Sequence, residues 1–346
     1  MQINMIQQTN YKLKHINEDF QVTEVPLMPN VKDKKPYQFT YIWLRKSGFT
    51  TFEALEKIKE FFKLSFEDVC SQGLKDEDGV TEQVISIKKV LNNKNITAFN
   101  KKHKFKNKFM AISNLIGYGE EPVQVGKLHG NSFKIVIRNL DNKLAEKLQD
   151  YIKNNKHHHF VNYYDNQRFG MPGGPYNTHL IGKAIVENNW REAHEQLKIT
   201  KNISAKEAKN TSAIEPKEIL KSINPKKISF YVSSYNSFLW NNEASLTVKN
   251  NTKSQIHAFK DVGKLHLPTN HTFVCQQGCE VDGYEFLPET FSAKPKVNKR
   301  NLIVTTTIYA HKLEKDELHK NKKKITLSFY LPTGSYATMI VRQLFL

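Results

Sequence analysis

Two hydrophobic periods organise the chain. Phe39, Tyr41 and Trp43 alternate with Thr40, Ile42 and Leu44, a spacing of two that predicts a strand. Thr50–Glu53 (TTFE) then has the form of a capping box, and Phe52, Leu55, Ile58 and Phe62 follow at helical spacing. Further strands are predicted around Val84–Val90 (VISIKKV) and over Phe133–Arg138 (FKIVIR), with Leu140, Leu144, Leu148 and Tyr151 marking a helix directly afterwards. Leu180 to Ile199 reads as one helix with Leu180, Ala184, Trp190 and Leu197 on its apolar side. Near the end Ile325, Leu327, Phe329 and Leu331 alternate again, and Ser335 is placed to cap a short terminal helix. Residues 200–227 are rich in Lys, Asn, Ser and Ala and are broken by two prolines, and residues 250–300 read as loop-rich. The pattern is α+β, with strand-rich ends around a more helical middle.

Composition narrows the class. At 346 residues the prior is about two domains, and a hydrophobic content of 39% is enough for a buried core. The formal net charge of +18 favours a polyanionic partner, nucleic acid or an acidic membrane, over a neutral one. The helix at residues 51–63 carries three acids and three lysines, which fits a membrane-surface helix poorly. No apolar run has the length of a membrane span, and the N-terminus lacks an apolar signal-peptide core, so a cytoplasmic protein is expected. The three cysteines, Cys70, Cys275 and Cys279, are too few for a disulfide framework. Cys275 and Cys279 form a lone C-x3-C pair and read as ordinary thiols, because a structural zinc needs about four ligands. His157–His159 reads as loop for a related reason: three consecutive residues of a regular element do not converge on one ion. No metal and no cofactor are expected.

Four segments hold candidate chemistry. Ser71–Gln83 (SQGLKDEDGVTEQ) is a polar, glycine-containing stretch between a helix and a predicted strand, and taken alone it reads as a surface turn. His129–Lys134 (HGNSFK) reads as a turn entering a strand. In Asn162–Gly174 (NYYDNQRFGMPGG), Arg168 and its aromatic neighbours fit RNA contact and a buried aromatic cluster about equally well. Phe99–Phe109 (FNKKHKFKNKF) interleaves cationic side chains with phenylalanines, which slightly favours phosphate contact with stacking rings in so basic a chain.

Order and combination change these odds. Leu13–Glu24 (LKHINEDFQVTE) resembles the TruD-family lysine followed four residues later by EDFxVxE. Gly73–Gln83 (GLKDEDGVTEQ) resembles GxKDxxAxTxQ, Gly130–Phe133 resembles GNxF, and Asn162–Gly170 (NYYDNQRFG) resembles NYFGxQRFG. Ser234–Asn241 (SYNSFLWN) resembles a helix segment of that family's inserted domain, and Leu331–Arg342 (LPTGSYATMIVR) resembles LPAGSFATxxxRE. The six matches run in order from residue 13 to residue 342. The chain departs from the pattern at Gly79 (usually Ala), Tyr164 and Asp165 (Phe-Gly), Tyr336 (Phe) and Trp240 (Phe), and residues 104–124 look longer than the corresponding bacterial stretch.

The resemblance to this family of pseudouridine synthases implies an α+β catalytic domain with a mixed, mainly antiparallel sheet. Residues 1–164 and 304–346 would form it, and 165–303 would be an inserted α/β domain. It implies isomerisation of uridine to pseudouridine in RNA, most often at position 13 of tRNA, without cofactor, metal, membrane or obligate protein partner. Asp76 would be the catalytic carboxylate and Lys14 its cation partner, since attack and proton abstraction both need an ionised group. Phe133 would stack on the flipped uracil, and Asn131 would hold the loop or the substrate. Tyr336 and Phe20 would complete an aromatic wall, Lys75 would touch phosphate, and Gln167 and Arg168 would be structural. The rival is a non-catalytic RNA-binding protein of the same fold, which predicts loss of Asp76 or of its cation; both are present. A methyltransferase would need a glycine-rich nucleotide turn after an early strand, and the sequence has none.

Overall fold

The computed structural model describes residues 10–33, 37–170, 174–199, 225–269, 280–285 and 296–346. The readings of Cys275, Cys279, Met171–Gly173 and most of 200–227 lie outside these residues. The chain divides into two compact units, Gln7–His158 with Thr306–Gly334 and His159–Thr305 with Ser335–Leu346. The C-terminal helix therefore clusters with the middle of the chain, which differs from the 165–303 bounds implied by the resemblance.

The first unit is a mixed sheet. Its strands are β1 (Phe20–Pro26), β2 (Phe39–Ser47), β3 (Val69–Ser71), β4 (Val80–Ile87), β5 (Phe109–Gly119) and β6 (Leu128–Leu140). β13 (Tyr309–Ala310), β14 (Glu314–Lys315) and β15 (Lys323–Pro332) follow late in the chain. The order β13-β15-β6-β1-β4-β2-β5 is antiparallel except for the parallel β1–β4 pair. Three helices accompany the sheet: α1 (Thr51–Phe62), α2 (Asn93–Lys102) and α3 (Asn142–Asn154). The capping box is formed, with the Thr50 side chain accepting from the Glu53 N–H, an arrangement worth about 1 kcal/mol. The apolar side of α1 is Ala54, Ile58 and Phe62, while Phe52 is exposed. These residues pack with Ile42, Leu44, Ile85 and Ile87 in one core cluster.

Register then shows what the rest of that sheet face carries. Paired residues share a face and alternate residues return to it. Phe133 pairs with Val22, Val22 with Thr81 and Thr81 with Lys46, one row across the sheet. The next row holds Asn131 paired with Glu24, and Gln83 paired with Leu44. The face is therefore apolar beneath α1 and polar beside it, and the Gly73–Gly79 loop reaches this polar part.

In the second unit β7 (His158–Val161) pairs with β12 (Ile303–Thr306). The histidine run thus enters a strand, where a loop was expected. The predicted helix over Leu180–Ile199 is two helices, α4 (Thr178–Val186) and α5 (Trp190–Ile199), because Asn188 turns left-handed with φ of 56°. Both pack on α6 (Pro225–Asn251), which contains the Ser234–Asn241 motif. Gly182 lets α4 approach closely, since a Cβ there would meet the Tyr231 carbonyl oxygen at 2.0 Å. The segment expected to be loop-rich holds two antiparallel hairpins, β8 (Ser254–Phe259) with β9 (Gly263–Pro268) and β10 (Glu280–Glu285) with β11 (Lys296–Asn301). The chain ends in α7 (Ala337–Leu344), whose N-cap is Tyr336 rather than Ser335 and makes no side-chain cap bond.

Candidate active site

Asp76 sits on the loop between β3 and β4, and its carboxylate accepts from the Lys14 ammonium at 2.7 Å. The Asp76 side chain keeps 39% of its exposure and Lys14 keeps 16%, so the carboxylate is reachable while its cation is sheltered. The two residues are 62 positions apart, so two separate backbone devices must bring them together.

The first device holds Lys14. Its φ is +52°, left-handed and unfavourable for a non-glycine residue by about 1–2 kcal/mol. On one side the Lys12 and Arg138 backbones bond reciprocally at 3.0 Å. On the other, the Asp19 carboxylate accepts from the Ile16 N–H at 3.2 Å. Arg138 ties the two together: it is buried, its Nε donates to Asp19, and its Nη1 donates to Asp316 at 2.9 Å. Burial pushes the Asp316 carboxyl up, but bonds from the Asn139 and Leu318 N–H groups, His319 and Arg138 outweigh it and hold the group down to about 2.

The second device holds the loop. Lys46 is 0% exposed, and its ammonium donates to the carbonyls of Phe49 (2.8 Å), Asp76 (2.9 Å) and Lys75 (3.2 Å). Burial is the main influence on Lys46 and lowers its pKa to about 8, with the Asp76 charge pulling the other way. Thr51 accepts from the Lys75 N–H at 2.9 Å and donates to Gln83, whose amide donates to the Gly73 carbonyl at 3.1 Å. The loop also lies close on β1: a Cβ at Gly79 would come 2.7 Å from the Phe20 carbonyl oxygen.

Lys75 does not face outward as a phosphate contact. Its ammonium is buried and bonds Glu24 at 2.5 Å, and Glu24 also accepts from the Val84 N–H. An unpaired Glu24 carboxylate at that depth would be costly, so Lys75 anchors the loop to β1.

Aromatic rings lie beside the carboxylate. The Lys14 ammonium stands 4.2 Å from the Phe20 ring centroid. Phe20 meets Phe133 edge-on at 6.0 Å, and Phe133 stacks on Phe329 at 5.6 Å. Asn131 lies on the same sheet face, and its Oδ1 is buried without a hydrogen-bond partner among the described residues. A thymine-like or uracil-like ring has the flat faces and amide edges that such a set of rings and an unsatisfied amide oxygen recognise.

The basic segment resolves into two parts. Phe99 sits in α2 inside the core, whereas Lys104–Lys108 forms an exposed turn closed by the Phe105 N–H on the Lys108 carbonyl. This turn packs against Gly48 and Phe49, with the Lys108 ammonium 4.5 Å from the Phe49 ring. Phe49 also bonds Lys46, so the basic turn and the Asp76 loop share one support.

These motifs agree with comparisons to known proteins. A family model described as tRNA pseudouridine synthase D (TruD) matches residues 3–222. This chain belongs to the TruD family. It is 25% identical to a probable tRNA pseudouridine synthase D 1 of Methanococcus maripaludis, across 96% of this chain and 99% of that protein. It is likewise 25% identical to a tRNA pseudouridine synthase D of Leptospira interrogans, across 97% and 96%. The crystal structure of a putative TruD from Methanosarcina mazei superposes with a TM-score of 0.62 at 20% identity, covering 96% of this chain and 93% of the other, so the α+β fold is a TruD fold.

Two further TruD motifs lie in the second unit. Tyr336 packs on Tyr164, and Tyr164 meets Trp240 edge-on. Arg168 donates to the Ser237 hydroxyl at 2.8 Å and to the carbonyl and hydroxyl of Ser233. Lys46, Glu24, Gln83 and Arg138 did not emerge as site residues from the sequence. Parity was the available signal for Lys46, because it continues the buried series Ile42, Leu44 along β2.

Proposed function

We propose that this chain is a pseudouridine synthase that isomerises uridine in tRNA, at position 13, with Asp76 as its catalytic carboxylate. The observation that carries the assignment is the Asp76–Lys14 pair, reachable from solvent and placed beside Phe20 and Phe133 on the polar part of the sheet face. In this reading residues 1–164 and 304–346 form the catalytic domain and residues 165–303 the family's inserted domain.

The reaction breaks the bond between ribose C1′ and uracil N1, turns the base, and joins C1′ to C5. The C5 hydrogen leaves as a proton and N1 gains one, so no oxidant or external group enters. In one route Asp76 attacks C1′ and is later displaced; in the other it removes the C2′ proton and returns it. Both routes require a carboxylate at a fixed position; Lys14 holds its oxygen and Lys46 its backbone carbonyl. The target base must leave its stack, and the Phe20–Phe133 pair opens to receive it, with the Phe133 ring contributing about 1–3 kcal/mol of stacking. The exposed turn Lys104–Lys108 contacts phosphates near the target. Among the described residues no helix is long and apolar enough to cross a membrane, and we place the enzyme in the cytoplasm with its tRNA.

The test is tritium release from tRNA transcripts carrying uridine labelled at C5. The wild-type chain releases label in proportion to enzyme and time, and Asp76→Asn releases none while still retaining tRNA on a filter. Release by Asp76→Asn at the wild-type rate would remove Asp76 from the chemistry.

A further inference from the structure

A second cationic group lies wholly within the other unit, and its charges are arranged differently. Arg300 lies with its guanidinium 3.9 Å from the Tyr164 ring centroid and 4.9 Å from that of Trp240. Its Nη2 donates to the Asn162 carbonyl at 2.7 Å, while its buried Nε has no partner among the described residues. Arg168 stands 5.8 Å from the same Tyr164 ring and bonds only serine hydroxyls and a carbonyl. Among the described residues neither arginine is paired with a carboxylate. Asp165, an acid that also faces Tyr336, is paired with Arg342 at 3.3 Å. Burying a guanidinium without a counterion is unfavourable, and burial holds Arg300 below its usual range.

The adjoining helix terminus has the same sign. α7 begins after Tyr336 with no side-chain cap and no acid in its first turn, so the positive end of the helix has no side chain answering it among the described residues. The hydroxyls of Ser335 and Thr338, on either side of Tyr336, are buried and without partners among the described residues. Tyr336 is near both arginines, and burial raises its phenol to about 12, so it presents an O–H donor at neutral pH. Donors outnumber acids here: Asp165, the carboxylate beside Tyr336, is paired through Oδ1 with Arg342, and its Oδ2 is buried without a partner among the described residues.

We propose that Arg300, Arg168, Tyr336 and the N-terminus of α7 form a receptor for one phosphodiester of the RNA substrate. The proposal rests on the reading that the substrate is tRNA. A phosphate supplies what this group lacks: a negative charge for two guanidiniums, and acceptor oxygens for the Arg300 Nε, the Ser335, Tyr336 and Thr338 hydroxyls and the helix N–H groups. Trp240 and Tyr164 hold the Arg300 plane in place before the anion arrives.

The experiment compares Arg300→Met, Arg300→Lys and the double variant Ser335→Ala/Thr338→Val with wild type, all as full chains. Each is assayed for filter binding of an unmodified tRNA transcript across a salt series and for tritium release from labelled tRNA, and melting is followed by circular dichroism. The expected result is about tenfold weaker binding for Arg300→Met, with the slope of log affinity against log salt reduced by roughly 0.7–0.9, the loss of one phosphate contact. Arg300→Lys recovers part of the affinity, and the double variant, which leaves the aromatic stack intact, binds several-fold more weakly. Wild-type affinity and slope in whichever of these variants melt cooperatively would overturn the receptor. Tritium release by the wild type keeps the two readings apart. Its absence would sink the synthase assignment, whereas its presence with unchanged variant binding would sink the receptor alone.

Discussion

The cations around Asp76 and the two arginines at Tyr164 are answered in opposite ways. Around Asp76 the cations are answered: Lys14 by Asp76, Lys75 by Glu24, and Arg138 by Asp19 and Asp316. Lys46, which has no salt bridge among the described residues, is satisfied by three carbonyls. Around Tyr164 the two arginines meet rings, hydroxyls and two carbonyls, and the Arg300 Nε meets no partner among the described residues. The first arrangement fixes one carboxylate in place by its oxygen and by its backbone carbonyl. The second leaves charge unneutralised, as binding of a polyanion requires. The net charge of +18 therefore says less than where each cation finds its partner.

Removing the one reactive charge breaks the comparison most severely. Asp76→Asn keeps the loop's size and its backbone carbonyl bond to Lys46, so turnover should fall by about 10⁴-fold or more while tRNA affinity changes little, as single-turnover kinetics beside filter binding will show. The next largest effect falls on folding. Arg138→Leu strips the buried Asp19 and Asp316 carboxylates of their shared guanidinium and should cost about 3–5 kcal/mol in urea unfolding. In the wild type the Asp316 pKa is depressed from 3.8 to about 2, so its stabilisation is complete above pH 3.8 and is lost as pH falls through 2. The difference between wild type and Arg138→Leu should shrink over that range of an acid titration.

Local features of this fold were legible in the sequence, and non-local ones were not. The box at Thr50–Glu53 and the alternation over Phe133–Arg138 need only neighbouring residues, and both formed as expected. Phe52 fitted the helical spacing yet faces outward, because the buried stripe is set by what α1 packs on rather than by its own hydrophobicity. The break between α4 and α5 depends on one left-handed asparagine inside an otherwise unbroken helical pattern. Asp76, Lys14, Phe133 and Asn131 stood out only through the family resemblance, since no periodicity links residues 14 and 76. Lys75 was misread because a lysine beside a catalytic aspartate suggests phosphate, and its true partner, Glu24, is 51 positions away. Arg300, in an unremarkable basic stretch, carried no signal at all.

Lys46 sharpens the comparison, being the buried cation that is answered by carbonyls alone. Lys46→Met removes three bonds from the loop and should lower kcat by about 10²-fold with a smaller change in KM, the size expected for a catalytic group displaced by about 1 Å. In the wild type kcat should decline as pH rises through about 8, where this ammonium loses its proton, and the variant should lack that limb. Stability moves the other way: between 8 and 10.5 the unfolded chain binds the extra proton, so the Lys46 contribution to stability rises with pH. The smallest effect is at the surface. Lys104→Glu with Lys106→Glu should weaken tRNA binding several-fold at low salt and leave kcat at saturating tRNA unchanged, the difference fading as salt is raised.

The central claim is that Asp76 acts on one uridine of tRNA, and mapping pseudouridine addresses it most directly. Unmodified tRNA transcripts are incubated with wild type and with Asp76→Ala, treated with carbodiimide and read by primer extension. A new stop at position 13 with the wild type and none with Asp76→Ala is the predicted result. The same stop with both proteins, or no stop in any tRNA with the wild type, would contradict it.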